Sequence, residues 1–183
     1  MHRSLLVRQV LPSAGLFAGL ILAGITFDYA LHRAGLAWVG LYLGPIGTIL
    51  LLLSLLYSLR KRKLIRAGSP KALLSLHESL AWAGSLCLVL HSGIHFSAVL
   101  PWLALGAMLI VVASGLTGAV LLRRAVEMVK AEEAAPDSED NRVLNAATVD
   151  LMRRWRVVHM PLNAIFAALA LVHIAAAAFF RHW

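Results

Sequence analysis

The chain has 183 residues, of which 60% are hydrophobic and only 14% charged, and its mean hydropathy is +0.79. A soluble domain carries about a quarter charged residues, so this composition excludes a water-soluble globule and describes an integral membrane protein. The net charge of +8 sits in short clusters beside apolar runs, which is the pattern of membrane orientation and argues against nucleic-acid binding.

The first apolar run follows a basic start, Met1-His2-Arg3. It is long and has no clear small-residue cleavage site after it, so it reads as an uncleaved first membrane helix over 11–31. Four further runs of bilayer-spanning length cover 38–59, 72–96, 100–122 and 157–180. Asp28, His32 and Arg33 separate the first two, with Gly35 for the turn. Ser69 and Pro70 form a start signal for the third, a hydroxyl cap followed by a proline in the first turn. The expected fold class is all-α: a single transmembrane domain over 1–183, a helical bundle of five spans.

The loops set the orientation. Arg60-Lys61-Arg62-Lys63, Arg66 and Lys71 follow the second span. Arg123 and Arg124 close the fourth, and Arg153, Arg154 and Arg156 open the fifth. The turn Ser97-Ala98-Val99 carries no charge. The positive-inside rule then puts the N-terminus in the cytoplasm and the C-terminus in the periplasm of a bacterial inner (cytoplasmic) membrane. The stretch 123–156 reads as a cytoplasmic hairpin with an acidic centre and a turn at Pro136-Asp137.

Histidine spacing is the strongest chemical signal. His77 and His91 lie fourteen positions apart in the third span, and His159 and His173 fourteen apart in the fifth. Fourteen residues of helix are about four turns and roughly 21 Å of rise, which returns both side chains to nearly one face. Ionisable side chains in hydrocarbon are costly and mark function. Two matched pairs supply the geometry for two non-covalent, bis-histidine b-type haems. The third and fifth spans both run outward, so the expected pairing is His77 with His159 near the cytoplasm and His91 with His173 near the outer face. The single Cys87, the lack of a C-x-x-C-H and the lack of a Gly-rich phosphate loop exclude c-type haem, an iron–sulfur cluster and the common nucleotide fingerprints.

Other polar residues are secondary candidates. His95, one turn past His91, is an alternative ligand to it. Asp28 and His32, at i, i+4 spacing, form a candidate proton-accepting site for a quinol together with His95 and Glu78. The simpler reading of the Asp28–His32 pair, an interfacial polar helix end, is the favoured one. Gly84, midway between His77 and His91, would admit a flat macrocycle or a neighbouring helix. Arg66, Lys71, Arg154 and Arg156 are placed to neutralise propionates of an inner haem, and Arg181 those of an outer one.

The paired H-x13-H helices resemble the membrane di-haem cytochrome b superfamily, meaning the b subunit of quinol–cytochrome c complexes and the ferric-reductase-like transmembrane family. The resemblance implies a four-helix haem-binding core within the five spans, with His77, His91, His159 and His173 as iron ligands. It implies an electron-transfer subunit of an oxidoreductase complex in a respiratory chain, linking the quinone pool to a partner redox subunit: an iron–sulfur protein, a cytochrome c or a flavoprotein. Two other readings stand beside it. One is a ferric-reductase-like conduit fed by a cytoplasmic flavoprotein. The other is a non-redox metal-transport or scaffold protein, for which intramembrane carboxylates and broken helices are scarce here.

Overall fold

A computed structural model describes residues 11–93, 98–134 and 139–180, and within 128–148 only the helical backbone. All regular structure among the described residues is α-helical: α1 (Leu11–Arg33), α2 (Val39–Ser54), α3 (Leu56–Lys61), α4 (Pro70–Ser92), α5 (Val99–Ala134) and α6 (Glu139–Phe180). With α2 and α3 taken together, five helices are long and apolar enough to cross a bilayer. The chain is a multi-pass membrane protein, and lipid is its solvent. Its large apolar side chains accordingly stand outward, Leu41, Ile49 and Leu52 on α2 and Ile165, Leu171 and Phe179 on α6 among them. Every backbone group inside the bilayer must be paired within the segment, which is why an apolar chain of this length resolves into helices alone.

Helix ends follow local chemistry. Ser69 Oγ accepts from the Ala72 amide at 3.2 Å with Pro70 in the first turn, the start expected from the sequence. Gly35 closes α1 at φ 69°, with Leu36 N bonded to the Leu31 carbonyl at 2.8 Å and Gly35 N to that of His32 at 3.2 Å. This is the reciprocal C-terminal cap that a left-handed residue makes possible. Lys63 performs the same task after α3 at φ 61°, with Leu64 N on the Leu59 carbonyl at 3.0 Å. The helix of the third span is shorter at its C-terminal end than the sequence suggests. α4 stops at Ser92 because Gly93 takes φ 52° and ψ −173°, which no helix can continue. The helices of the fourth and fifth spans run on beyond their apolar stretches, to Ala134 and from Glu139. His95, Arg181 and the turn at Pro136-Asp137 lie outside the described residues.

The chain divides into two compact units, one of residues 17–112 and one of residues 1–16 with 113–183. In the first unit α2 and α4 pack antiparallel along their whole length. Small residues make this possible: without a hydrophobic force between helices in lipid, close backbone approach supplies the packing energy. Gly40, Gly44, Gly47 and Ser54 are the buried residues of α2, and Gly84 and Ser85 those of α4. In the second unit the last part of α5 packs on α6. There the half-buried face of α6 carries Trp155, His159, Asn163, Phe166, Ala170 and His173 in one helical stripe.

Candidate functional site

His77 and His91 belong to the first unit, and His159 and His173 to the second. Each pair lies on one half-buried face of its helix, as fourteen-residue spacing requires. Met160, beside His159, is 50% exposed and points away from that stripe.

In the first unit both histidines reach across to backbone carbonyls of α2. His91 Nδ1 lies 2.8 Å from the Gly40 oxygen and His77 Nδ1 lies 3.0 Å from the Ser54 oxygen. The acceptors are themselves fourteen residues apart, so the antiparallel register repeats at both levels. A carbonyl oxygen can only accept, so each Nδ1 carries the ring proton and donates it. In the neutral ring the lone pair is then on Nε2. The Ser54 carbonyl lies where α2 gives way to α3 and the helix tightens, with Leu55 N bonded to the Leu52 oxygen at 3.0 Å. Tyr57 stands beside the His77 ring with centroids 5.8 Å apart, and Lys61 Nζ lies 5.9 Å from the Tyr57 ring centre.

In the second unit His159 sits in a polar cluster. Its Nδ1 is 3.1 Å from Ser114 Oγ, and Asn163 Nδ2 is 2.9 Å from its Nε2. Trp155 stacks on the imidazole, with centroids 4.8 Å apart and planes 23° apart, and donates its indole N–H to the Ser114 carbonyl at 2.8 Å. Gly118 leaves the room for that indole, because a Cβ there would overlap the ring. With the Asn163 amide donating to Nε2, His159 has the same protonation as His77 and His91: proton on Nδ1, lone pair on Nε2.

That donor chemistry is what iron ligation asks of histidine. A ligating imidazole typically binds metal through one nitrogen and donates the other N–H to a carbonyl or another acceptor, which fixes ring orientation and raises basicity. His77 and His91 meet this requirement through α2, so the residues fit a haem iron. At His159 the Asn163 amide would have to give up Nε2.

Comparison with known protein families, curated proteins and solved structures gives no match.

The remaining candidates are distributed differently. The cofactor-facing role considered for Gly84 is not needed to explain that glycine, since its Cα face is taken by Gly47 and Leu51 of α2. Asp28 and His32 are together on α1: His32 Nδ1 is 2.9 Å from the Asp28 carbonyl oxygen and 3.5 Å from Oδ1, with the carboxylate 14% exposed. Glu78 is exposed on α4, on a different side from His77. Arg66, Lys71, Arg154 and Arg156 are exposed, and Arg154 pairs with Asp150 one turn earlier at 2.7 Å. Gly44 was legible only as one of several glycines that let a neighbouring helix or a macrocycle approach closely; the residues that sequence reasoning missed are Gly40, Ser54, Ser114, Trp155 and Asn163. Of these, Trp155 carried a visible signal, an aromatic one helical turn before His159.

Proposed function

We propose that this chain is a di-haem b-type cytochrome subunit that carries electrons across the membrane between a quinol or quinone and a partner redox protein. The carrying observation is the pair of carbonyl bonds to His77 and His91. Each orients an imidazole in a membrane span and leaves its lone pair on Nε2, at two levels fourteen residues apart. Duplicated spacing in α6 supplies the second pair, His159 and His173. The basic loops support a cytoplasmic N-terminus in a bacterial inner membrane, and two outward-running spans then pair His77 with His159 and His91 with His173. Haem, when bound, supplies a one-electron iron couple. The protein's own part is to orient the imidazoles, exclude water from them and set the distance between the two levels. The haems would exchange electrons with a partner redox protein at one membrane face.

The test is an optical spectrum of the purified chain, oxidised and dithionite-reduced. Two b-type haems per chain are expected. His77→Ala and His159→Ala should each remove the same haem, and His91→Ala and His173→Ala the other. A haem-free protein from cells supplied with haem overturns the reading. Loss of different haems within a pair overturns the pairing alone.

A further inference from the structure

Gly44 lies one turn along α2 from Gly40, on the same buried face. A Cβ at Gly44 would stand 2.7 Å from His91 Cε1 and 2.8 Å from both ring nitrogens, far inside contact distance for all three atoms. At Gly40 the closest atom to a Cβ is the Leu90 oxygen at 3.4 Å, an ordinary contact. The imidazole therefore lies flat over Gly44 while its Nδ1 is held by the Gly40 carbonyl. The ring cannot swing aside to make room for a methyl group without losing the 2.8 Å bond.

We propose that Gly44 is a positioning residue for His91. The missing side chain forms a slot, the Gly40 carbonyl anchors the ring in it, and together they fix the direction in which Nε2 points. The slot is built at one level only. His77 is neighboured by the Tyr57 ring at 5.8 Å, and none of its ring atoms is among the three nearest to a Cβ built on any described glycine. The consequence for the cofactor rests on the haem reading, whereas the slot itself does not.

A double-mutant cycle separates the two. Thermal midpoints of the full chain in detergent are measured for the wild type, Gly44→Ala, His91→Ala and the double variant. Gly44→Ala should lower the midpoint in the wild-type background and have little effect once His91 is alanine. Gly19→Ala, at a helical glycine whose Cβ would meet nothing within 4 Å, should not lower the midpoint. An equal loss from Gly44→Ala in both backgrounds overturns the slot. If Gly44→Ala does not fold, recovery of folding in the double variant supports the slot and failure to recover overturns it. In the haem-loaded chain, Gly44→Ala should displace the midpoint potential of one haem, the one lost in His91→Ala, and leave the other unchanged. Two unchanged haems overturn the positioning role while leaving the cytochrome reading standing. A wild type without haem refutes the cytochrome and leaves the stability cycle to decide the slot.

Discussion

Gly47 and Gly84 meet where α2 and α4 cross, each without a side chain at the point of closest approach. A Cβ on Gly47 would lie 2.9 Å from the Gly84 carbonyl oxygen, and one on Gly84 would lie 3.0 Å from that of Gly47. The crossing is seven residues from His91 and from His77 on α4, and seven from Gly40 and Ser54 on α2. One contact thus sets the register of both histidine–carbonyl bonds at once.

Gly84→Ala tests that crossing. The added methyl would meet both the Gly47 carbonyl oxygen and Leu51 Cγ at 3.0 Å, and the carbonyl, being backbone, can make room only if the helices shift apart. Overpacking of this kind costs about 1–3 kcal/mol. The expected outcome is a lower thermal midpoint in detergent and disturbance of both histidine levels together, in contrast to the single level affected at Gly44. An unchanged midpoint would show that α2 can give way at no cost.

The Trp155 clamp on His159 depends on Gly118. Gly118→Ala should expel the indole, break its bond to the Ser114 carbonyl and remove the stacking on His159. We expect a loss of about 1–3 kcal/mol and a change in tryptophan emission. Trp155→Phe keeps a ring but lacks the donor, so it should cost about 1 kcal/mol, the usual worth of one hydrogen bond. Equal losses from Gly118→Ala and Trp155→Phe would mean that packing at Gly118 contributes nothing beyond the bond.

Ser85 is 1% exposed and its hydroxyl has no hydrogen-bond partner among the described residues. An unmet buried polar group costs free energy, so Ser85→Ala should be neutral or stabilise by up to about 1 kcal/mol. Chemical denaturation in mixed micelles is the measurement. A clear loss of stability would reveal an acceptor for this hydroxyl.

Lys63 holds a left-handed conformation at φ 61° while exposed to solvent. Glycine adopts that geometry without Cβ strain, though it loses more entropy on folding. Lys63→Gly should therefore raise stability by about 0.5 kcal/mol. A fall in the thermal midpoint would mean that the lysine side chain contributes more than its backbone strain costs.

The spans were legible because the bilayer demands apolar length, and that demand is written residue by residue. The Ser69–Pro70 start was legible for a similar reason, since a helix cap is a contact between residues three apart. The C-terminal end of α4 was not, because glycine is tolerated within many membrane helices and only the backbone angles of Gly93 reveal a stop. The common face of His77 and His91, and of His159 and His173, followed from helical periodicity.

What holds those histidines was decided by tertiary structure alone. Gly40 and Ser54 act through backbone carbonyls, which every residue type possesses, so no residue identity announces them. His91 meets Gly40 across 51 positions and Trp155 meets the Ser114 carbonyl across 41. The sequence by itself determined a polytopic helical membrane protein with histidines at repeated spacing, because hydropathy and periodicity are local properties. Which glycines give way to an imidazole, which to a helix and which to an indole depends on antiparallel register, and register exists only once the helices have packed.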